Sequence, residues 1–529
     1  MKDDKMTTDP KIKSGSFDDF FWPLVLLVLA PWIMQQFGQS MNADTAWLTI
    51  GAQRIMNGQT MATHVYDNNP PLALIFHMPI VWLSRMGIPV FYADTFYFLG
   101  LLAVSVAAIS AILKRWNFLN HQEISVITAT YVITMTILSH MDFGQRDHML
   151  MLGLFPFVLL QTSMTYDIAI PDKIKWPVLV LGVFAILIKP PHGLLPTLLL
   201  IDRIVKRKNI LSVLRDADFI CLAIGTILYV AITWFFFNDY ATQVLPSVLS
   251  LYIPDMKIWL IAQTGFYVLL AGTMMLTALA VPMEAKVRNV ILGLYLFAIV
   301  SLVPFLVQMQ GFHYHLMPAF TFFTCATFLT AYEFLNRTIG KTWAPLATAA
   351  ACFVFAYTLV PLNPYFPRHE DYKNFEITKR IEECGDSCNA FYIFASDNAI
   401  APTTAIYTGR TYASRFPAYW FLPRLLLMKK SKDPRFESYK KKFGDMAADD
   451  LAYYKPGILF IGRFEVFGDE NKLFDYVGFF SSDEAFRDEM DHYEKTGAIS
   501  VNWKDYFAGV RQAQDRIIKY DIYKRKPGS

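Results

Sequence analysis

The sequence predicts a mainly α-helical, polytopic membrane bundle of about eleven spans, with interfacial helices and a C-terminal extracytoplasmic α/β domain. Three observations carry that expectation. Of 529 residues, 54% are hydrophobic and only 18% charged, against about a quarter charged in soluble globular chains. The apolar residues come in blocks long enough to cross roughly 30 Å of hydrocarbon, separated by short charged connectors. Beyond residue 362 charge returns, and β-like runs such as Ala390–Ala395 and Ile458–Ile461 alternate with helical stretches. The expected division is a transmembrane domain over 1–362 and an extracytoplasmic (periplasmic) domain over 363–529. Net charge is only +3 and the basic residues are scattered, so no nucleic-acid partner is expected.

Candidate spans lie near 19–38, 92–113, 123–140, 149–166, 175–188, 193–205, 217–237, 260–282, 289–309, 316–335 and 345–361. The fifth and sixth are short and joined by Lys189-Pro190-Pro191-His192, which leaves two readings: two short spans or one broken re-entrant pair. The first apolar stretch contains Pro23 and Trp32 and has no small-residue cleavage site after it, so it reads as a retained span rather than a signal peptide. With the N-terminus inside, seventeen Lys and Arg fall in inner connectors and five (Arg54, Arg85, Arg146, Lys189, Lys257) in outer ones. Cationic connectors stay cytoplasmic, so the N-terminus is expected in the cytoplasm, the tail in the periplasm and the chain in the inner (plasma) membrane. Cys384 and Cys388 lie in that tail, four residues apart. A disulfide and two unpaired thiols on a helix-like spacing both remain open.

The outer connectors hold the chemistry. Between 39 and 91, Trp47, Ile50, Ile55 and later Leu74, Ile75, Met78, Trp82 recur at helical spacing, which predicts two amphipathic helices in the interface. Asp44 heads the first, either as an N-cap for the amides of Ala46 and Trp47 or as a reactive carboxylate. The second outer loop runs Ser139-His140-Met141-Asp142-Phe143-Gly144-Gln145-Arg146-Asp147-His148, and so many ionisable groups at a hydrocarbon edge are costly unless they pair or act. Three readings compete. Arg146 neutralises Asp147; or Asp142, Asp147 and His148 hold a divalent cation such as Mg or Mn; or Arg146 binds a phosphate with its planar fork. Lys189 and His192, and His313 and His315, place further cationic or protonatable groups at outer edges, as an anionic lipid head group requires.

The order of these parts resembles the C-type (GT-C) membrane glycosyltransferases, among them the bacterial aminoarabinose and mannose transferases that use polyprenyl-phosphate sugars. The residues that carry the resemblance are an acid after span one (Asp44), Tyr66-Asp67-Asn68-Asn69-Pro70-Pro71-Leu72, the second-loop acid Asp147, the break at Lys189, His315-Leu316-Met317-Pro318 before a late span, and the α/β tail. Family members commonly carry a second acid where this chain has Thr45, and a Lys where it has Asn69.

The resemblance implies a polyprenyl-phosphate-linked sugar donor and a glycan, lipid or protein acceptor. Asp44 would be the general base and Asp147 a second catalytic group. Arg146, Lys189, His192, His313 and His315 would take the donor phosphate, and Tyr66, Asp67 and Asp142 the substrate, with Asp147 and His148 as cation ligands. Base and leaving group on opposite faces of the anomeric carbon imply inversion. Two other classes compete: a transporter or flippase of lipid-linked glycans, which would want charges near the bilayer midplane and matched halves, and a non-catalytic envelope-glycan assembly component. The sequence names neither the sugar nor the acceptor.

Overall fold

The computed structural model describes residues 15–252, 258–308, 312–340, 343–359, 368–396, 398–463, 474–502 and 517–528. The expected domain boundary at 362, the N-terminal lysines, Lys257, Gln310, Gly311 and Lys341 lie outside the described residues.

Among the described residues, six helices are long and apolar enough to cross a bilayer: Phe21–Gly38, Val90–Leu113, Arg146–Thr165, Ala217–Phe236, Trp259–Ala280 and Ala285–Gln308. The other five expected spans are helical too, as His121–Ile133 continued by a π-turn, Asp172–Ile188, Leu194–Arg207, Met317–Thr338 and Ala344–Leu359. Each falls short in length or in mean hydropathy, so the count of eleven is not reached on those criteria. The helices expose what a soluble protein buries: Leu228 is 55% exposed, Leu269 72% and Phe236 79%. Apolar surface on this scale is stable only against lipid.

The segment that broke at two prolines is a hairpin. Lys189 bonds Asp147 in the first turn of the Arg146–Thr165 helix, whereas Arg203 bonds the Gln161 carbonyl and Thr165 in its last. Residues 189–203 therefore run the length of that 20-residue helix, about 30 Å at 1.5 Å per residue. At the far end the buried Arg203 is held by Asp216 (2.7 Å) and Asp218 (3.0 Å), and Gln161 donates to Asp218.

The stretch between the first two spans forms the helices Ala43–Met56, Met61–His64 and Pro71–Arg85. The last is amphipathic, burying Leu72, Leu74, Ile80 and Val81 while Trp82 and Met86 are exposed. In the tail, β1 (Ala390–Phe394), β2 (Thr411–Tyr412), β3 (Ile458–Arg463), β4 (Tyr493–Asn502) and β5 (Ile517–Arg525) form one mixed sheet in the order β2-β1-β3-β5-β4. β1 is parallel to β2 and β3, and β5 is antiparallel to both β3 and β4. Cys384 and Cys388 are joined by a disulfide. The core of the tail continues into the helices beneath it. Phe391, Phe394, Phe416 and Phe443 pack in one continuous cluster with Trp47, Tyr66 and Leu74 of the interfacial helices and with Tyr240 and Val248. Arg54, buried at 6% exposure, is the polar latch, donating to the carbonyls of His64, Ser414 and Tyr412.

Candidate functional site

Asn42, not Asp44, caps the first interfacial helix. Its side chain accepts the amide of Asp44 at 2.8 Å, and its carbonyl accepts those of Ala46 and the Thr45 hydroxyl. The N-cap reading of Asp44 is thereby corrected, and its carboxyl is free of capping duty in the first turn of a helix whose dipole favours negative charge. Burial pushes that carboxyl above the usual carboxylate range. Arg146 and a hydrogen bond from Asn398 Nδ2 to Asp44 Oδ1 pull the other way, and Asp147 adds to the rise.

The loop over residues 139–145 turns on residues in the left-handed region, His140 (φ 35°) and Gly144 (φ 84°), and delivers Arg146 and Asp147 as the first residues of their helix. A Cβ on Gly144 would stand 2.9 Å from Phe98 and 3.0 Å from Thr45. Gly144→Ala is therefore expected to cost about 1–3 kcal/mol through backbone strain and overpacking. The detergent-solubilised thermal midpoint reads it.

Of the three readings of this loop, direct pairing of Arg146 with Asp147 is not formed: Lys189 fills that place. Its ammonium donates to both Asp147 oxygens, at 2.7 and 2.6 Å, and both side chains are buried. Burial holds the Lys189 ammonium down at about 8 despite the pull of Asp147, and Arg146 adds to the lowering. Arg146, in contrast, makes no hydrogen bond and no ion pair among the described residues. Its charge acts through space on Asp44, Asp67, Asp147, Lys189, Tyr314 and His315. Groups scattered from residue 44 to 315 thus share one electrostatic neighbourhood.

Arg146, Lys189 and His315 face a cavity of about 670 Å³. Its other walls are largely apolar or aromatic: Pro190, Pro191, Tyr229, Val230, Trp234, Tyr240, Leu245, Tyr252 and Val307. Val230, Trp234 and Val307 are 57–61% exposed and sit on spanning helices, so this wall opens toward lipid. The lining thus joins cationic side chains to a greasy wall.

The remaining expected residues divide. Asp142 is in the neighbourhood: its carboxyl makes no hydrogen bond or ion pair among the described residues, and burial, then Asp147 and Asp44, push it up to about 8. At neutral pH it holds its proton and is a hydrogen-bond donor. Asp67 is buried and occupied, accepting from the Trp47 indole (2.9 Å), the Asn68 amide (2.7 Å) and Asn69. Tyr66 lies between the tail and residues 240–244: its hydroxyl donates to the Gln243 carbonyl and accepts from Lys442 of the tail. The buried His192 lies 3.9 Å from Asp147. His313 is exposed and does not line the cavity.

The two expected cation ligands make other contacts in this structure. Asp147 spends both oxygens on Lys189, while His148, the next residue on the helix, turns away to bond the Met135 carbonyl at 2.9 Å and packs on Phe143. Among the described residues no three His, Cys, Asp or Glu could hold a metal ion. Both departures from the resembled motif have local occupants: Thr45 bonds back to Asn42, and Asn69 serves Asp67.

Sequence reasoning missed Asn398, which reaches Asp44 from 354 residues away and sits in no motif. It also missed the cavity aromatics Tyr229, Trp234, Tyr240 and Tyr252. Their only signal is an aromatic cluster at one span end, which an interfacial belt equally explains.

No family model matches the chain, and no curated protein does. Among solved structures the chain is similar to the crystal structure of ArnT from Cupriavidus metallidurans in the apo state. The identity is 11%, the match covers 83% of this chain and 92% of that one, and the TM-score is 0.36. A likeness of that size carries no argument about activity.

Proposed function

We propose that the protein is an integral membrane glycosyltransferase that moves a sugar from a polyprenyl-phosphate donor to an acceptor on the outer face of the inner membrane. The observation that carries this reading is the unpaired Arg146 guanidinium, set beside Lys189 at the head of an apolar cavity open to lipid and within electrostatic reach of Asp44. A half-buried guanidinium without a protein partner among the described residues is costly, and a phosphate monoester or diester is the partner its fork matches. The isoprenoid would lie against Trp234, Val230 and Val307, each buried methylene adding about 0.8 kcal/mol.

The step is a single displacement. Asp44 takes the proton of the acceptor hydroxyl as its oxygen attacks the anomeric carbon. The bond from that carbon to the phosphate oxygen breaks, its electron pair leaves with polyprenyl phosphate, and Arg146 and Lys189 stabilise the departing charge. One displacement inverts the anomeric centre. Asp147 acts through Lys189, which it orients, and protonated Asp142 donates to a sugar hydroxyl. No step runs through a cation.

Mass spectrometry of lipid that copurifies with the protein tests the donor class. A polyprenyl-phosphate sugar is expected; a diphosphate-linked oligosaccharide with no turnover on reconstitution would favour the flippase instead. Arg146→Ala removes no protein partner and is expected to leave the fold intact. It should weaken donor binding about 10- to 100-fold, the range for a charge-assisted hydrogen-bonded pair. Unchanged donor affinity would return Arg146 to a structural role.

A further inference from the structure

The candidate base opens the first interfacial helix, just after the turn that follows the first span, and the tail grips that turn at several points. The Met41 amide donates to the Tyr407 hydroxyl at 3.0 Å, and the His369 ring bonds the Phe37 carbonyl at 2.6 Å. Gln39 forms a β-bridge with Arg368. At the end of the same turn, Asn398 Nδ2 donates to Asp44 Oδ1. We propose that the tail completes the catalytic site, with Asn398 as the positioning residue that aims the Asp44 carboxyl. This rests on the reading of Asp44 as the base.

The physical case has three parts. A lone carboxylate in the first turn of a helix is free to rotate, and productive attack needs its proton-accepting oxygen held in place. Asn398 occupies Oδ1, which leaves Oδ2 for the acceptor hydroxyl. A neutral amide donor favours the charged form of the carboxyl without adding a cation that would compete with the donor phosphate. The groups acting on Asp44 are Arg146 and Asp147 from the adjoining helix, Asp142 from the second loop and Tyr314 from the late outer turn. Of these only Arg146 favours the carboxylate, and it is the group assigned to the donor phosphate. Once the anionic phosphodiester of the donor engages Arg146, Asn398 is the stabiliser that stays with Asp44. The shared core of tail and interfacial helices supplies the rigidity that such aiming needs.

The test uses the full chain and does not depend on knowing the substrate. Dicyclohexylcarbodiimide modifies protonated carboxyls in apolar surroundings, and labelling at Asp44 is followed against pH by peptide mass spectrometry. In Asn398→Ala the labelling midpoint is expected to rise by about half a pH unit or more, with Asn398→Ser between it and the parent protein. Tyr407→Phe, which loosens the same docking surface without touching the carboxyl, is expected to leave the midpoint in place. Equal midpoints in Asn398→Ala and the parent overturn the proposal, as does an equal shift in Tyr407→Phe, which would make docking rather than Asn398 the cause. Should the alanine variant not accumulate, the serine variant alone decides. Turnover of polyprenyl-phosphate mannose or aminoarabinose by Asp44→Asn separates the two claims: retained turnover defeats the base assignment, whereas a fixed midpoint with a dead Asp44→Asn defeats only the role of Asn398.

Discussion

Lys189→Met is expected to unfold the site end of the bundle and abolish donor binding together. Asp147 is fully buried and Lys189 supplies both of its ion-pair hydrogen bonds, so the variant strands a carboxylate in an apolar interior. Removing one partner of a buried pair costs about 3–5 kcal/mol, most of it the penalty of the charge left behind. The thermal midpoint of the detergent-solubilised protein should fall accordingly. The double variant Asp147→Asn with Lys189→Met removes that stranded charge and should recover most of the stability. It should not recover the donor, because the ammonium at the cavity head is still missing. Full recovery of binding in the double variant would show that Lys189 only balances Asp147. For the parent protein, donor affinity is expected to weaken as pH rises through about 8, where Lys189 loses its proton.

Asp44→Asn should abolish turnover while leaving the lipid bound. The change is isosteric, keeps the Asn42 cap and removes only the basic oxygen, so a fall of about 10²- to 10⁴-fold in turnover with unchanged donor affinity is expected. Single-turnover release of polyprenyl phosphate and a separate donor-binding measurement separate the two. The pH dependence has a sign. The base acts as carboxylate, and burial raises its pKa, so turnover of the parent protein is expected to fall on the acid side at a higher pH than an ordinary aspartate would give. Normal turnover by Asp44→Asn would remove this carboxyl from the chemistry.

Much of this fold is legible without coordinates because solvent preference is a property each residue carries alone. Every expected span is helical, the Ala390 and Ile458 runs are strands, and the stretch from 39 to 91 is helical where Trp47 and Leu74 recur. Span counting was less secure where composition weakens: Met317–Thr338 is long enough but rich in threonine, and Asp172–Ile188 is a residue too short. The site was legible only as a set of candidates. Asp44, Asp142, Arg146, Lys189 and His315 converge, whereas Tyr66 and Asp67 spend their polar atoms on the tail and on neighbouring residues.

The amino-acid order by itself determined which segments seek lipid, which connectors carry charge and which residue types stand ready for phosphate chemistry, since each follows from local composition and periodicity. Only the tertiary structure decided who partners whom. Asn42 rather than Asp44 satisfies the helix end, Lys189 rather than its neighbour Arg146 satisfies Asp147 across 42 residues, and Asn398 meets Asp44 across 354. Burial is a preference of one residue, while an ion pair or hydrogen bond belongs to two, and the distance between two residues in space is not written in their separation along the chain.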